Sequence, residues 1–121
     1  MSSEAAPILD SGVLDELRAA TGDDEEFIRD LVRTYVDEAP LNFDGMTAAL
    51  GAGDPGAIVR PAHTLKSSSA SIGAMRLSSI SRGIEEAGRT GRLDGLAEAV
   101  AQASAAWTET LVALAEAGLT G

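Results

Sequence analysis

The only histidine of the chain, His63, stands in the run Ala62-His63-Thr64-Leu65-Lys66-Ser67-Ser68, with Gly73 ten residues beyond it. Wound as a helix at ~100° per residue, residues 55–72 place Ile58, Ala62, Leu65, Ser69 and Ile72 on one narrow stripe, the side that must face a core. His63 falls well round the cylinder from that stripe, beside Val59, Arg60, Lys66, Ser67 and Ala70, so its ring is predicted to face solvent. Free imidazole titrates near ~6.5, so close to neutral pH a ring nitrogen keeps its lone pair and acts as a nucleophile. Phosphorus is the electrophile that suits it. A phosphoryl group in transfer carries negative charge on its equatorial oxygens, and a lysine one turn away, Lys66, supplies the compensating charge. The hydroxyls of Ser67 or Ser68 add hydrogen bonds to the same oxygens, while Arg60 is either a further donor or an ordinary solvated residue. The small side chains of Ser67 and Ala70 leave an approaching protein surface unobstructed.

Other chemistries have little to stand on. A serine–histidine hydrolase needs an orienting acid and an oxyanion hole, and an isolated helix face is expected to offer neither. There is no cysteine, which removes disulfides, thiolate metal sites and thiol catalysis. One histidine without an H-E-x-x-H spacing, and no Asp/Asn/Gly run of calcium-loop form, argue against a metal or cofactor of the chain's own. A formal net charge of -10 opposes binding to nucleic acid or to anionic membranes, since nothing here displaces phosphate counterions. The start Met-Ser-Ser-Glu-Ala-Ala has neither a basic segment nor a long apolar run, so a cytoplasmic protein is expected.

The 121 residues suit one domain, with no ATP-binding catalytic domain beside it. Apolar residues make up 45% of the chain but aromatics only 3%, a composition of Ala and Leu that favours closely spaced helices. Residues 1–9 read as a flexible tail, followed by a domain over 10–118. Asp10 or Ser11 caps a short helix carrying Val13, Leu14 and Leu17, a lid that Thr21-Gly22 ends. Asp23-Asp24-Glu25-Glu26 then opens a long helix, acids lying where the macrodipole favours them. Its buried stripe is Phe27, Ile28, Leu31, Val32, Tyr35 and Val36, continued by Phe43, Met46, Ala49 and Leu50 after Pro40, which should kink or interrupt it.

Gly51-Ala52-Gly53 turns, and Asp54-Pro55 starts the His63 helix with a cap and a first-turn proline. Gly73 marks a junction, after which Leu77, Ile80, Ile84 and Ala87 run on to Gly88 or Gly91. From about Asp94, Leu96, Val100, Ala103, Trp107, Leu111 and Leu114 form a last stripe closed by Gly118. Tyr35 and Trp107 sit within such stripes and are assigned to packing. The fold expected is all-α, an antiparallel four-helix bundle with a short additional N-terminal helix.

The stretch Ala62-His63-Thr64-Leu65-Lys66 with Gly73-Ala74 and Leu77 resembles the histidine-containing phosphotransfer (HPt) domain, whose usual motif is A-H-x-L-K-G-x-x-x-x-x-G-A. Ala49-Leu50, Gly53-Asp54, the acidic opening with Phe27, and Glu85 agree with it, so the likeness spans about residues 10 to 115. The resemblance implies a four-helix bundle that serves as a phosphorelay intermediate, taking a phosphoryl group from a receiver-domain aspartate and passing it to another. His63 is then the phosphoacceptor, Lys66 the residue that stabilises the phosphoryl group, and Gly73 the glycine that permits close helix packing near the site. Val59, Arg60, Ser67, Ala70 and Gly73 are the residues expected at the partner surface. Ser67 departs from the family's usual glycine, which bears on the fit or choice of partner. The same resemblance implies a monomeric phosphocarrier rather than an enzyme, serving response-regulator receivers or a hybrid sensor histidine kinase, with magnesium supplied by the receiver. The alternatives are a receiver-binding module or a dimerising scaffold that carries no phosphate.

Overall fold

The computed structural model describes residues 6–120. Its helices begin and end where backbone groups find caps. Asp10 accepts from the Gly12 amide at the head of α1 (Ser11–Thr21), and Gly22, in the left-handed conformation, closes that helix. Asp24 accepts from the Phe27 amide to start α2 (Glu25–Gly51), whose first turn carries Glu25 and Glu26 at the positive end of the dipole. Asp54 caps a 3₁₀ turn, Pro55–Ile58, from which α3 (Val59–Ile72) grows. Two residues, Gly73 and Ala74, separate α3 from α4 (Met75–Arg89), and α5 (Leu96–Glu116) completes the set.

Helix α2 packs on α3, α3 on α4, α4 on α5, and α5 returns to α2, so four helices close an antiparallel bundle while α1 lies across α2 and α3. No strand occurs among the described residues. The α3 stripe is buried as its periodicity requires: Ile58, Ala62, Leu65 and Ser69 are fully covered and Ile72 nearly so. Burying a side chain such as Leu65 or Ile84 contributes ~1.5–3 kcal/mol against leaving it in water. Trp107 is half-buried and meets Tyr35 edge to face at 5.3 Å and Phe43 at 6.3 Å, joining the two halves of the core. The Tyr35 hydroxyl, itself in the core, shares a 2.8 Å hydrogen bond with Ser69 and ties α2 to α3. Both aromatics are packing residues, as their stripes predict.

Several expectations change. Phe27 does not join the buried stripe; it stands 43% exposed at the end of the bundle, over a groove shared with Leu31, Tyr35, Ser71 and Ile72. Pro40 does not interrupt α2, which runs unbroken through it; the proline is exposed, and the only helical bond it removes is its own missing N–H donor. Helix α4 ends at Arg89, between the Gly88 and Gly91 expected to close it, with Gly88 as its penultimate residue. The last helix, expected from about Asp94, takes Gly95, left-handed with φ 79°, as its cap. Of the tail read over residues 1–9, residues 1–5 lie outside the described residues, and the rest is held: the carbonyls of Ala6 and Pro7 accept from Arg76.

Candidate functional site

The site is built by the turn between α3 and α4. Walking back from Gly73 to His63 and forward to Glu85 covers ten and twelve residues, similar distances of about 15–18 Å at 1.5 Å per residue along antiparallel helices. Glu85 therefore arrives opposite His63. The helices also approach closely. A Cβ placed on Gly88 would lie 2.7 Å from Ile58 Cγ2, 2.8 Å from the Pro55 carbonyl and 3.0 Å from Val59 Cγ2, so only glycine lets α4 sit this near the head of α3. Further along, Ser78 of α4 donates to the Lys66 carbonyl at 2.9 Å.

His63 is 55% exposed in its side chain, and its Nδ1 lies 2.7 Å from Glu85 Oε2. Lys66 Nζ donates to the other oxygen, Oε1, at 2.6 Å, and Arg89 Nη2 donates to Oε2 at 2.9 Å. The Glu85 side chain is only 5% exposed, yet the hydrogen bonds from Lys66 and Arg89 hold its carboxyl well below the usual carboxylate range, down to about 2, against the opposing effect of burial. An ionised carboxylate only accepts, so the proton between the pair belongs to Nδ1. The lone pair is left on Nε2, which has no internal partner among the described residues. An orienting acid is thus present, contrary to what the isolated helix face suggested. With a neutral ring the cluster of Lys66, Arg89 and Glu85 carries one net positive charge in a chain of net charge -10, a local field suited to a dianionic group.

A family model for the Hpt domain matches residues 30–117, well over half of the chain. The chain belongs to the Hpt family. Its structure superposes on the crystal structure of histidine-containing phosphotransfer protein B (HptB) from Pseudomonas aeruginosa PAO1 with a TM-score of 0.80 and 28% identity, covering 92% of this chain and 94% of that one. No curated protein matches the sequence at a significant level. This Hpt domain is a phosphotransfer intermediate of two-component phosphorelay, of the phosphocarrier class that works with receiver domains and kinases.

The remaining residues singled out in the sequence divide between surface and scaffold. Arg60 and Ser67 are exposed beside His63, and Val59 and Ala70 are half-buried on its flanks, Val59 leaning against the α4 backbone at Gly88. Ser68 turns its hydroxyl inward to the Leu65 carbonyl at 3.3 Å. Gly73 leaves the partner surface altogether. It is buried at the end of α3 with φ 93°, and a Cβ there would meet the Asp10 carbonyl at 2.6 Å, so this Hpt domain uses it to receive the N-terminal segment. Arg89 was not legible as a site residue, because only the packing of α4 brings it to Glu85. Among the described residues no group of three or more His, Asp or Glu side chains forms a cage for a metal ion, and no helix is long and apolar enough to cross a membrane.

Proposed function

We propose that His63 is the phosphoacceptor of this Hpt domain and that Nε2 is the atom that takes the group. The observation that carries the reading is the 2.7 Å bond from Nδ1 to Glu85 on a ring that is otherwise open to solvent. In the transfer, the Nε2 lone pair forms a bond to phosphorus while the bond from phosphorus to the receiver's aspartyl oxygen breaks, and the carboxylate leaves with its electron pair. The Nδ1 proton stays in its bond to Glu85, whose charge stabilises the cation developing on the ring. Onward transfer runs the same step in reverse to a second aspartate. Lys66, held 2.6 Å from Glu85, is the cation that reaches the phosphoryl oxygens.

The magnesium that phosphoryl transfer requires belongs, on this reading, to the receiver's acidic pocket, and this chain contributes a nucleophile on a smooth face. Arg60, Ser67, Ala70 and the exposed edge of Val59 form the inner part of a transient docking patch. One chain supplies all four bundle helices, which supports a monomer rather than a dimerising scaffold. Light scattering should give the mass of a single chain.

Incubation with a phosphorylated receiver and Mg²⁺ should place acid-labile, base-stable label on the protein, and ³¹P NMR should assign it to Nε2 of the ring. His63→Gln should abolish the label. Label that persists in that variant, or that resides on Nδ1, would remove the assignment; receiver binding without label under any donor would favour a binding module instead.

A further inference from the structure

Four serines lie between Ser67 and Ser71, and three have committed their hydroxyls. Ser68 donates to the Leu65 carbonyl at 3.3 Å, Ser69 is paired with Tyr35 at 2.8 Å, and Ser71 donates to the Ser67 carbonyl at 3.0 Å. Among the described residues the Ser67 hydroxyl has no partner, and the residue is exposed. Residues four apart on a helix hold their Cβ atoms ~5–6 Å from one another on one face, and side chains lean toward the helix N-terminus. Ser67 accordingly stands one turn from His63 on the same exposed face of α3, within reach of a group carried on Nε2.

We propose that Ser67 is a phosphoryl-binding residue: its Oγ–H donates to an oxygen of the group carried on His63. This rests on the assignment of His63 as phosphoacceptor. A phosphoryl group adds three strong acceptor oxygens, and Lys66 supplies charge but no second anchor of fixed position. The hydroxyl holds the full dianion of the resting phosphohistidine. In hydrolysis phosphorus moves away from the ring nitrogen toward water, and a hydroxyl on a one-carbon stem cannot follow it as the long lysine can, so the bond weakens there. The consequence is protection: spontaneous hydrolysis, in which water forms a bond to phosphorus as the nitrogen–phosphorus bond breaks and inorganic phosphate leaves, is slowed. The glycine usual in the family has no side chain with which to do this.

The test needs no receiver. The full chain and its variants are phosphorylated with phosphoramidate, freed of donor by desalting, and the loss of phosphohistidine is followed by ³¹P NMR. Ser67→Ala, which keeps the Cβ, is expected to lose the group roughly three- to tenfold faster than the parent. Ser67→Thr should stay near the parental rate because it retains a hydroxyl. Equal lifetimes for the parent and Ser67→Ala would overturn the proposal while leaving His63 in place. A faster loss in Ser67→Thr as well as in Ser67→Ala would overturn it too, since the hydroxyl would then not be the cause. Failure of the parent to take label on His63 would overturn both readings together.

Discussion

At the level of single residues, the lone histidine is oriented by a carboxylate that the motif does not contain. Glu85 does three things with two oxygens: it fixes the His63 tautomer, anchors Lys66 and anchors Arg89. Removing Lys66 takes from the buried Glu85 carboxylate its shortest hydrogen bond and leaves it Arg89 and the His63 ring as partners. Lys66→Ala is expected to slow phosphotransfer roughly tenfold, the loss of one charge-assisted hydrogen bond of about 1.4 kcal/mol, and to lower the thermal midpoint of an intact fold because Glu85 loses a donor. Stopped-flow transfer from a phosphorylated receiver, beside a melting curve, separates the two effects. An unchanged rate would remove its proposed role.

At the level of helices, the site depends on how near α4 lies to α3. Gly88 sets that distance, since a methyl there would enter the space of Ile58 and the Pro55 carbonyl, and backbone does not yield as a flexible side chain does. Gly88→Ala should destabilise the fold by about 1–3 kcal/mol through overpacking and push α4 outward. Because Glu85 lies one turn away on the same helix, the variant should also transfer phosphate more slowly even at temperatures where it stays folded. Denaturant titration and rate measurement on one preparation would show it. A stable variant with parental transfer kinetics would mean that the bundle opens elsewhere to admit the methyl group.

Across the whole molecule, two buried groups make stability depend on pH at opposite ends of the scale. The Glu85 carboxyl titrates at about 2 in the fold against 4.5 ordinarily, so its contribution is full above about pH 4.5 and is lost as pH falls toward 2. Tyr35 is displaced the other way. Burial pushes its hydroxyl up to about 12 from 10.0, and the unfolded chain then sheds a proton that the fold retains, so stability declines as pH rises from 10 toward 12. Denaturant midpoints against pH should therefore show a gap between the parent and Glu85→Gln that is steady at neutral pH and closes in acid. Tyr35→Phe should lose the alkaline decline while costing about 1 kcal/mol elsewhere for its bond to Ser69. A gap that persists unchanged to pH 2 would show that Glu85 matters for shape and not for charge.

Much of this was legible before any coordinate. The five helices, the buried stripe of α3, the caps at Asp10, Asp24 and Asp54, and the outward face of His63 are local matters, decided by 3.6-residue periodicity and by short-range capping. Phe27 was misread because periodicity says which side of a helix faces inward but not where the opposing helix stops. Gly73 closes α3 as its setting requires, but only the packed neighbours show that Asp10 rests against it and that Gly88, at the end of α4, is where α4 meets the head of α3. The convergence of His63, Lys66 and Arg89 on the Glu85 carboxylate lay beyond the chain's linear order, since Arg89 and Lys66 are 23 positions apart and meet through the register of two antiparallel helices. Sequence alone determined that an imidazole faces water; tertiary packing decided which of its nitrogens is free, because that choice is made by a proton held across the gap between α3 and α4.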